Sequence, residues 1–208
     1  MTEFEELLEN EWRELVASLE DALAVAPSPL ALPAARRLPL SPIALFAQLE
    51  EVREEWRTLR SAIQPADAER YVNAAWTLTD LVAHVASWAK EFRHEVETVF
   101  GGGSFDYAIP YVMTVIGPNA WNEEQVRQRE TQSLGESFDE IDAETGRLQE
   151  LLFEMSEQDL YGPATFPLAP SGDPAAKWKG PSAVIIAGKC EHDRHHIGQL
   201  RKRLQSWR

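Results

Sequence analysis

The sequence predicts an all-α protein, and two observations support that prediction. Apolar residues recur at helical spacing in each long segment, and turns rich in glycine and proline separate these segments. The chain has 208 residues, of which 44% are hydrophobic and 26% are charged. That length is enough to bury a sizeable core in one domain and to add an appended element. We therefore expect a bundle of helices joined by long crossover loops.

The N-terminal segment predicts an additional helix and a linker. From Thr2 to about Val25, apolar residues recur with helical period, and acidic residues lie between them. Five prolines follow over residues 27–42, which indicates an extended linker. We expect residues 1–41 to form this helix and linker, and residues 42–208 to form the bundle domain. The extra helix would pack back on the domain or on a second subunit, and we expect a homodimer.

The bundle domain is predicted to contain long helices with one apolar face each. Residues 42–63 carry an apolar stripe opposite a ladder of glutamates and arginines. A second helix starts near Trp76, where Thr77 and Asp80 resemble a capping box, and it continues to about Phe100. The remaining predicted elements are a helix over about 122–155 that is interrupted near Gly135, a crossover over 162–180 and a last helix over 181–207.

Composition argues against several classes of protein. The net charge of −14 gives a surface that repels phosphate, so we expect no nucleic-acid partner. Cys190 is the only cysteine, which excludes an intrachain disulfide. The N-terminus lacks the pattern of an export signal, and no apolar run approaches the roughly 20 residues that a membrane span needs. We expect a cytoplasmic protein that acts on a small molecule.

The candidate chemistry lies in the histidines, because the sequence has no phosphate-binding loop, nucleophile elbow or CxxC motif. His192 and His196 are spaced i, i+4 on the last helix, so their rings lie one turn apart on one face. An unpaired buried imidazole costs about 1–3 kcal/mol, and a shared metal ion would satisfy both rings. The alternative is that both histidines are surface residues of a charged C-terminal helix.

A third histidine, His84, lies on the apolar face of the helix predicted over 76–100. A lone histidine on such a face is either a hydrogen-bonded core residue or a ligand. Helices of an antiparallel bundle lie about 8–10 Å apart, so His84 can meet the pair at 192 and 196. Asp80, one turn before His84, either orients the ring or only caps the helix.

Two segments together resemble a known family. The segment WTLTDLVAH covers residues 76–84, and the segment HDRHHIGQL covers residues 192–200. This pairing resembles the DinB/YfiT-like family of metal-dependent four-helix-bundle proteins, and the likeness covers roughly residues 42–206. The resemblance implies a DinB-like four-helix bundle, here with an additional N-terminal helix.

The resemblance also implies a metal site and an activity. It assigns His84, His192 and His196 as ligands of one divalent metal, either zinc or nickel. A low-molecular-weight thiol at the open position would make the protein a thiol-dependent transferase, and water there would make it a hydrolase, in both cases acting on a small electrophile. One alternative is a non-catalytic stress-response protein that binds a small molecule or metal in the same pocket. Another is an interaction scaffold whose histidines are structural.

The neighbouring polar residues narrow these options only slightly. Asp193 stands where metalloproteases of the HExxH type carry glutamate, which disfavours protease chemistry. His195 lies to one side of the pair and is either a proton shuttle or a solvated residue. His94 lies off the face of His84, so we do not include it in the site. The aromatic residues Tyr107, Tyr111 and Trp121 belong either to a pocket mouth or to a surface loop.

Overall fold

The computed structural model of the chain describes residues 41–101, 118–161, 164–167, 177–180 and 182–208. The predicted N-terminal helix and most of the proline-rich linker lie outside these residues, as do Tyr107 and Tyr111. The division of the chain into 1–41 and 42–208 therefore stays a prediction.

The described residues are mainly helical, which confirms the predicted class. The elements are α1 (Pro42–Ala62), a 3-10 turn (Pro65–Asp67), α2 (Leu78–Phe100), α3 (Pro118–Gln128), α4 (Leu134–Glu154), α5 (Glu157–Tyr161), β1 (Ala164–Pro167), β2 (Lys177–Gly180) and α6 (Ser182–Trp207). The two strands form an antiparallel pair in which Ala164 lies opposite Gly180. The sequence predicted only an irregular crossover at this point, so this small hairpin is an addition to it.

Four long helices form the predicted bundle. Helix α1 packs against α4 and α6, and α2 packs against the same two helices. Helices α1 and α2 therefore occupy opposite corners of the bundle, although they follow each other in the chain. This arrangement makes α2 and α6 direct neighbours, and these are the helices that carry the candidate ligands.

The apolar stripe of α1 is buried as its period predicts. Its buried residues are Leu45, Leu49, Val52, Trp56 and Leu59. The helix begins after Ser41, whose side chain accepts a hydrogen bond from the backbone N–H of Ala44 at 3.2 Å, and Pro42 occupies the first turn.

The predicted starts of α2 and α4 are also marked by caps. The backbone N–H of Asp80 donates to Thr77 Oγ1 at 3.2 Å, and the backbone N–H of Thr77 donates to Asp80 Oδ2 at 2.9 Å. Ser133 and Glu136 form the corresponding capping box before α4. The break between α3 and α4 confirms the interruption predicted near Gly135.

Ion pairs fix α1 against α4 on the outer side of the bundle. The Arg53 guanidinium donates to both carboxylate oxygens of Asp142 at 2.9 Å, a bidentate geometry. A Cβ atom at Gly146 would lie 2.9 Å from Arg53 Nη2, so glycine leaves the room that this guanidinium needs. These contacts hold α1 in the position from which Trp56 enters the core. None of the described helices is long and apolar enough to cross a membrane.

Candidate metal centre

The three predicted ligands converge in the interior between α2 and α6. The Nε2 atom of His84 lies 3.2 Å from Nε2 of His196 and 3.3 Å from Nε2 of His192. The ligand atoms of the three residues all lie within 4.8 Å of one another. Among the described residues, they are the one group of histidine, cysteine, aspartate or glutamate side chains that meets this geometry. The structure therefore brings together the residues that the two sequence segments singled out.

Two of these rings are almost completely removed from water. His84 is 3% exposed and His196 is 6% exposed, whereas the His192 side chain keeps 21% of its surface. Burial lowers the pKa of His84 and of His196 well below the ordinary value, and the neighbouring histidines lower both further. Both imidazoles are therefore neutral at neutral pH, which is the form that binds metal ions.

Hydrogen bonding leaves a lone pair at the centre of the cluster. The His196 Nδ1–H donates to Gln199 Oε1 at 3.1 Å, which assigns the lone pair of that ring to Nε2. A proton on His84 Nε2 could bridge only one of its two close nitrogen contacts. The other contact would then lack a hydrogen bond, whereas a cation shared by the three nitrogens would satisfy all of them.

The nitrogen separations fit a small tetrahedral cation. Zinc–nitrogen bonds are about 2.0–2.1 Å long, so two ligands of one tetrahedral zinc lie roughly 3.3–3.4 Å apart. The two separations of 3.2 and 3.3 Å come close to that value. A set of three imidazoles suits zinc or nickel better than magnesium or calcium, which prefer oxygen ligands.

Aromatic rings enclose the cluster. The Trp76 ring lies 4.8 Å from the His84 ring, and the Trp88 and Phe92 rings lie 5.7 and 6.0 Å from the His192 ring. Trp88 also packs on Trp121 of α3 at 4.4 Å between ring centroids. Trp121 thus belongs to the packed surroundings of the site, with 6% of its surface exposed.

A buried polar network that the sequence analysis missed lies beside His192. Lys189 and Asp193 both have 0% exposure, and Lys189 Nζ donates to Asp193 Oδ2 at 2.6 Å. Lys189 also donates to Thr145 Oγ1 at 2.8 Å, and Trp56 Nε1 donates to Asp193 Oδ2 at 3.0 Å. Burial, the largest single effect, raises the pKa of Asp193, but the neighbouring Lys189 and His192 side chains together outweigh it, so the pKa is lowered. The Asp193 carboxyl group is therefore ionised at neutral pH.

The other residues considered from the sequence have different outcomes. Asp80 is used by the cap of α2, and His84 Nδ1 has no hydrogen-bond partner among the described residues, so the structure gives Asp80 no orienting role. His195 is half-buried with its ring 5.0 Å from that of His196, and its role as a proton shuttle stays a prediction. His94 is exposed, in agreement with its exclusion from the site.

Gln199 is a further residue of the candidate site, and the sequence analysis did not assign it a role. Gln199 lies on the face of α6 that carries His192 and His196, and its Oε1 accepts the hydrogen bond that orients the His196 ring. The signal was its spacing of three residues after His196, which places the two side chains on one face of a helix.

A family model covers more than half of the chain. The model described as Mycothiol maleylpyruvate isomerase N-terminal domain matches residues 49–181. The matched segment includes His84 and ends before the helix that carries His192 and His196. No curated protein matches the sequence.

Several solved structures share the fold. YfiT from Bacillus subtilis, described as "a probable metal-dependent hydrolase with an unusual four-helix bundle topology", is 16% identical with a TM-score of 0.57, covering 77% of this chain and 84% of its own. The mycothiol-dependent maleylpyruvate isomerase is 16% identical with a TM-score of 0.59, covering 77% of this chain and 61% of its own. The colibactin self-resistance protein ClbS, in complex with a dsDNA, is 16% identical with a TM-score of 0.62, covering 80% and 96%. At these identities the likeness shows the fold alone.

The burial of His84 and His196 predicts that the metal-free protein loses stability as the pH falls. The folded state keeps both rings neutral, whereas the unfolded chain takes up protons near the ordinary pKa of about 6.5. Below that pH the unfolded state binds more protons than the folded state. The free energy of unfolding should therefore fall by up to about 1.4 kcal/mol per pH unit for each ring.

Urea unfolding of chelator-treated protein from about pH 7.5 to about pH 5 measures this effect. Burial raises the pKa of Glu91 to about 7, which acts in the opposite direction over the same range. Comparison of the wild type with His84→Gln at each pH removes the Glu91 contribution. The difference in stability should move in favour of the variant as the pH falls, and a difference that is independent of pH would contradict the prediction.

Proposed function

The chain belongs to the mycothiol maleylpyruvate isomerase N-terminal domain family, of the DinB/YfiT-like group, and on this premise we propose that it is a metal-dependent enzyme. Its site would be a divalent metal, zinc or nickel, held by His84, His192 and His196. Its reaction would be a thiol-dependent transfer to a small electrophile, or the hydrolysis of one. The likeness to the DinB/YfiT-like family that the two histidine segments indicated is confirmed by the family match.

The proposal rests on one observation: in a largely buried position, Nε2 of His84 lies 3.2 Å from Nε2 of His196 and 3.3 Å from Nε2 of His192. When bound, a divalent metal supplies a Lewis acid that lowers the pKa of a water or thiol at the open position. The enclosing Trp88 and Phe92 rings keep bulk water away from the ligands. Since His192 is the most exposed of the three rings, we infer that the substrate reaches the cluster past it.

A separate small thiol fits this site better than a thiol of the chain itself. Burial raises the pKa of Cys190 to about 12, so this cysteine is not a thiolate at neutral pH. The maleylpyruvate isomerase of similar fold is described as mycothiol-dependent. We therefore favour the transferase over the hydrolase, with a low-molecular-weight thiol as the cosubstrate. We also propose a cytoplasmic location, as expected from the sequence.

Two further parts of the proposal concern partners. The net charge of −14 favours a small-molecule substrate over a nucleic acid, although ClbS, which shares the fold, has been seen with dsDNA. The homodimer expected from the N-terminal helix stays a prediction.

A non-catalytic stress-response protein that binds a metal or small molecule in the same pocket is the second candidate. It is favoured by the close packing of aromatic rings around the cluster, because tight enclosure suits capture of a ligand as well as turnover. The two candidates differ in whether a product forms.

The proposed ligands predict uptake of one equivalent of metal per chain. Untagged protein should bind close to one equivalent of Zn²⁺ or Ni²⁺ by elemental analysis, and His84→Ala should bind less than about a tenth of an equivalent, since removal of one imidazole breaks the three-coordinate site. His94→Ala is the matched control, because His94 lies on the same helix and is exposed. Absence of uptake by the wild type would leave only the scaffold interpretation.

The transferase assignment predicts product formation that depends on a thiol. Metal-loaded protein incubated with a panel of small electrophiles should form adducts only when mycothiol, bacillithiol or glutathione is present, because Cys190 cannot supply the thiolate. Mass spectrometry of the products measures the outcome, with His84→Ala as the inactive control. Product without thiol would indicate the hydrolase, and stoichiometric ligand binding without product would indicate the binding protein.

A further inference from the structure

The Asp193 carboxylate is engaged unequally by its neighbours. Oδ2 accepts two hydrogen bonds, from Lys189 Nζ at 2.6 Å and from Trp56 Nε1 at 3.0 Å. Oδ1 is buried and accepts no hydrogen bond among the described residues. A buried carboxylate oxygen without a donor is costly, so the free Oδ1 atom needs an explanation.

One ionisable neighbour of Oδ1 is a proposed metal ligand. His192 Nδ1 lies 3.8 Å from Asp193 Oδ1, and this nitrogen is also buried without a hydrogen bond among the described residues. Two unsatisfied buried atoms, one able to donate and one able to accept, thus face each other just beyond bonding distance. A rotation of the His192 ring that shortens the separation by about 1 Å would form a hydrogen bond.

We propose that Asp193 is the positioning residue for His192: its Oδ1 accepts the Nδ1–H of that ring and thereby fixes Nε2 as the atom directed at the cation. This inference rests on the proposed metal site. A histidine whose Nδ1 carries the proton presents a lone pair only at Nε2, and a carboxylate acceptor makes that ring a stronger ligand.

The rest of the network keeps the carboxylate in place. Lys189 lies one turn before Asp193 on α6, and its second hydrogen bond, to Thr145, ties it to α4. Trp56 reaches the same carboxylate from α1. Three helices thus fix one carboxylate beside one ligand, and the neighbouring Lys189 offsets the cost of burying that carboxylate in the ionised form.

The three ligands are supported in different ways. His196 has the neutral amide of Gln199 as its acceptor, and His84 has no acceptor among the described residues. In the part of the chain that the structure describes, His192 is the one ligand with a carboxylate within 4 Å. It is also the most exposed of the three rings, and hence the one that packing alone constrains least.

The test must separate positioning from stability. Asp193→Asn would leave the buried Lys189 ammonium unpaired, which is destabilising in itself. The double variant Lys189→Met/Asp193→Leu instead replaces the buried ion pair with apolar side chains, a change that is often neutral or stabilising, and it costs the protein the hydrogen bond from Trp56 Nε1. We expect this variant to fold and to bind Zn²⁺ and Co²⁺ about 10- to 100-fold more weakly than the wild type.

Asp142→Asn is the matched control. Asp142 is also an ion-paired carboxylate of the bundle, but it lies at the contact of α1 and α4, with Arg53 and Arg57 as its partners. This variant should lose stability and keep the metal affinity of the wild type within about threefold. Titration with Zn²⁺ and Co²⁺, with circular dichroism to verify folding, measures both quantities.

A second readout uses the wild type alone. Long-range proton–nitrogen NMR spectra of the zinc-loaded full chain should show His192 with a proton on Nδ1 that exchanges slowly with water. The inference is overturned if that nitrogen carries no such proton, or if the folded double variant binds Zn²⁺ as tightly as the wild type. Failure of the wild type to bind zinc would overturn the metal site itself, and this inference with it.

Discussion

The constraint on which the structure depends is the meeting of three imidazole rings, nitrogen to nitrogen, in a nearly water-free interior. Burial keeps His84 and His196 neutral, and one proton cannot satisfy both close contacts of His84 Nε2. Polar groups that are buried without a partner lower the stability of the folded state. A shared cation would remove that cost, so packing that would destabilise an ordinary core suits a metal site.

The bundle topology supplies this meeting point. Because α1 and α2 occupy opposite corners, α2 lies beside α6, and the single histidine of one helix faces the i, i+4 pair of the other. Helix α1 contributes from the opposite side, through the Trp56 hydrogen bond to Asp193. Aromatic rings surround the cluster, so its environment is built from side chains of several helices.

Much of the bundle could be predicted from the sequence. The spacing of apolar residues indicates which face of a helix is buried, and capping residues mark where helices begin. The stripe from Leu45 to Leu59 and the cap at Thr77 are local signals, and the structure agrees with both. The Lys189–Asp193 pair could not be predicted, because an i, i+4 pair of opposite charges usually marks a solvated face. Only the packing of α1 and α4 around it shows that it is buried. The strand pair over 164–167 and 177–180 was missed because each strand has only four residues, too short an alternation to stand out among the surrounding prolines and glycines.

The family match covers His84 but ends before α6, the helix that carries His192 and His196. The central claim is that three imidazole nitrogens bind one cation. X-ray absorption spectroscopy of the zinc-loaded full chain tests this claim most directly. The account predicts three imidazole nitrogens at about 2.0–2.1 Å from zinc, with one further light-atom ligand. A spectrum with fewer than two imidazoles, or one that is unchanged when His84 and His196 are replaced, would contradict it.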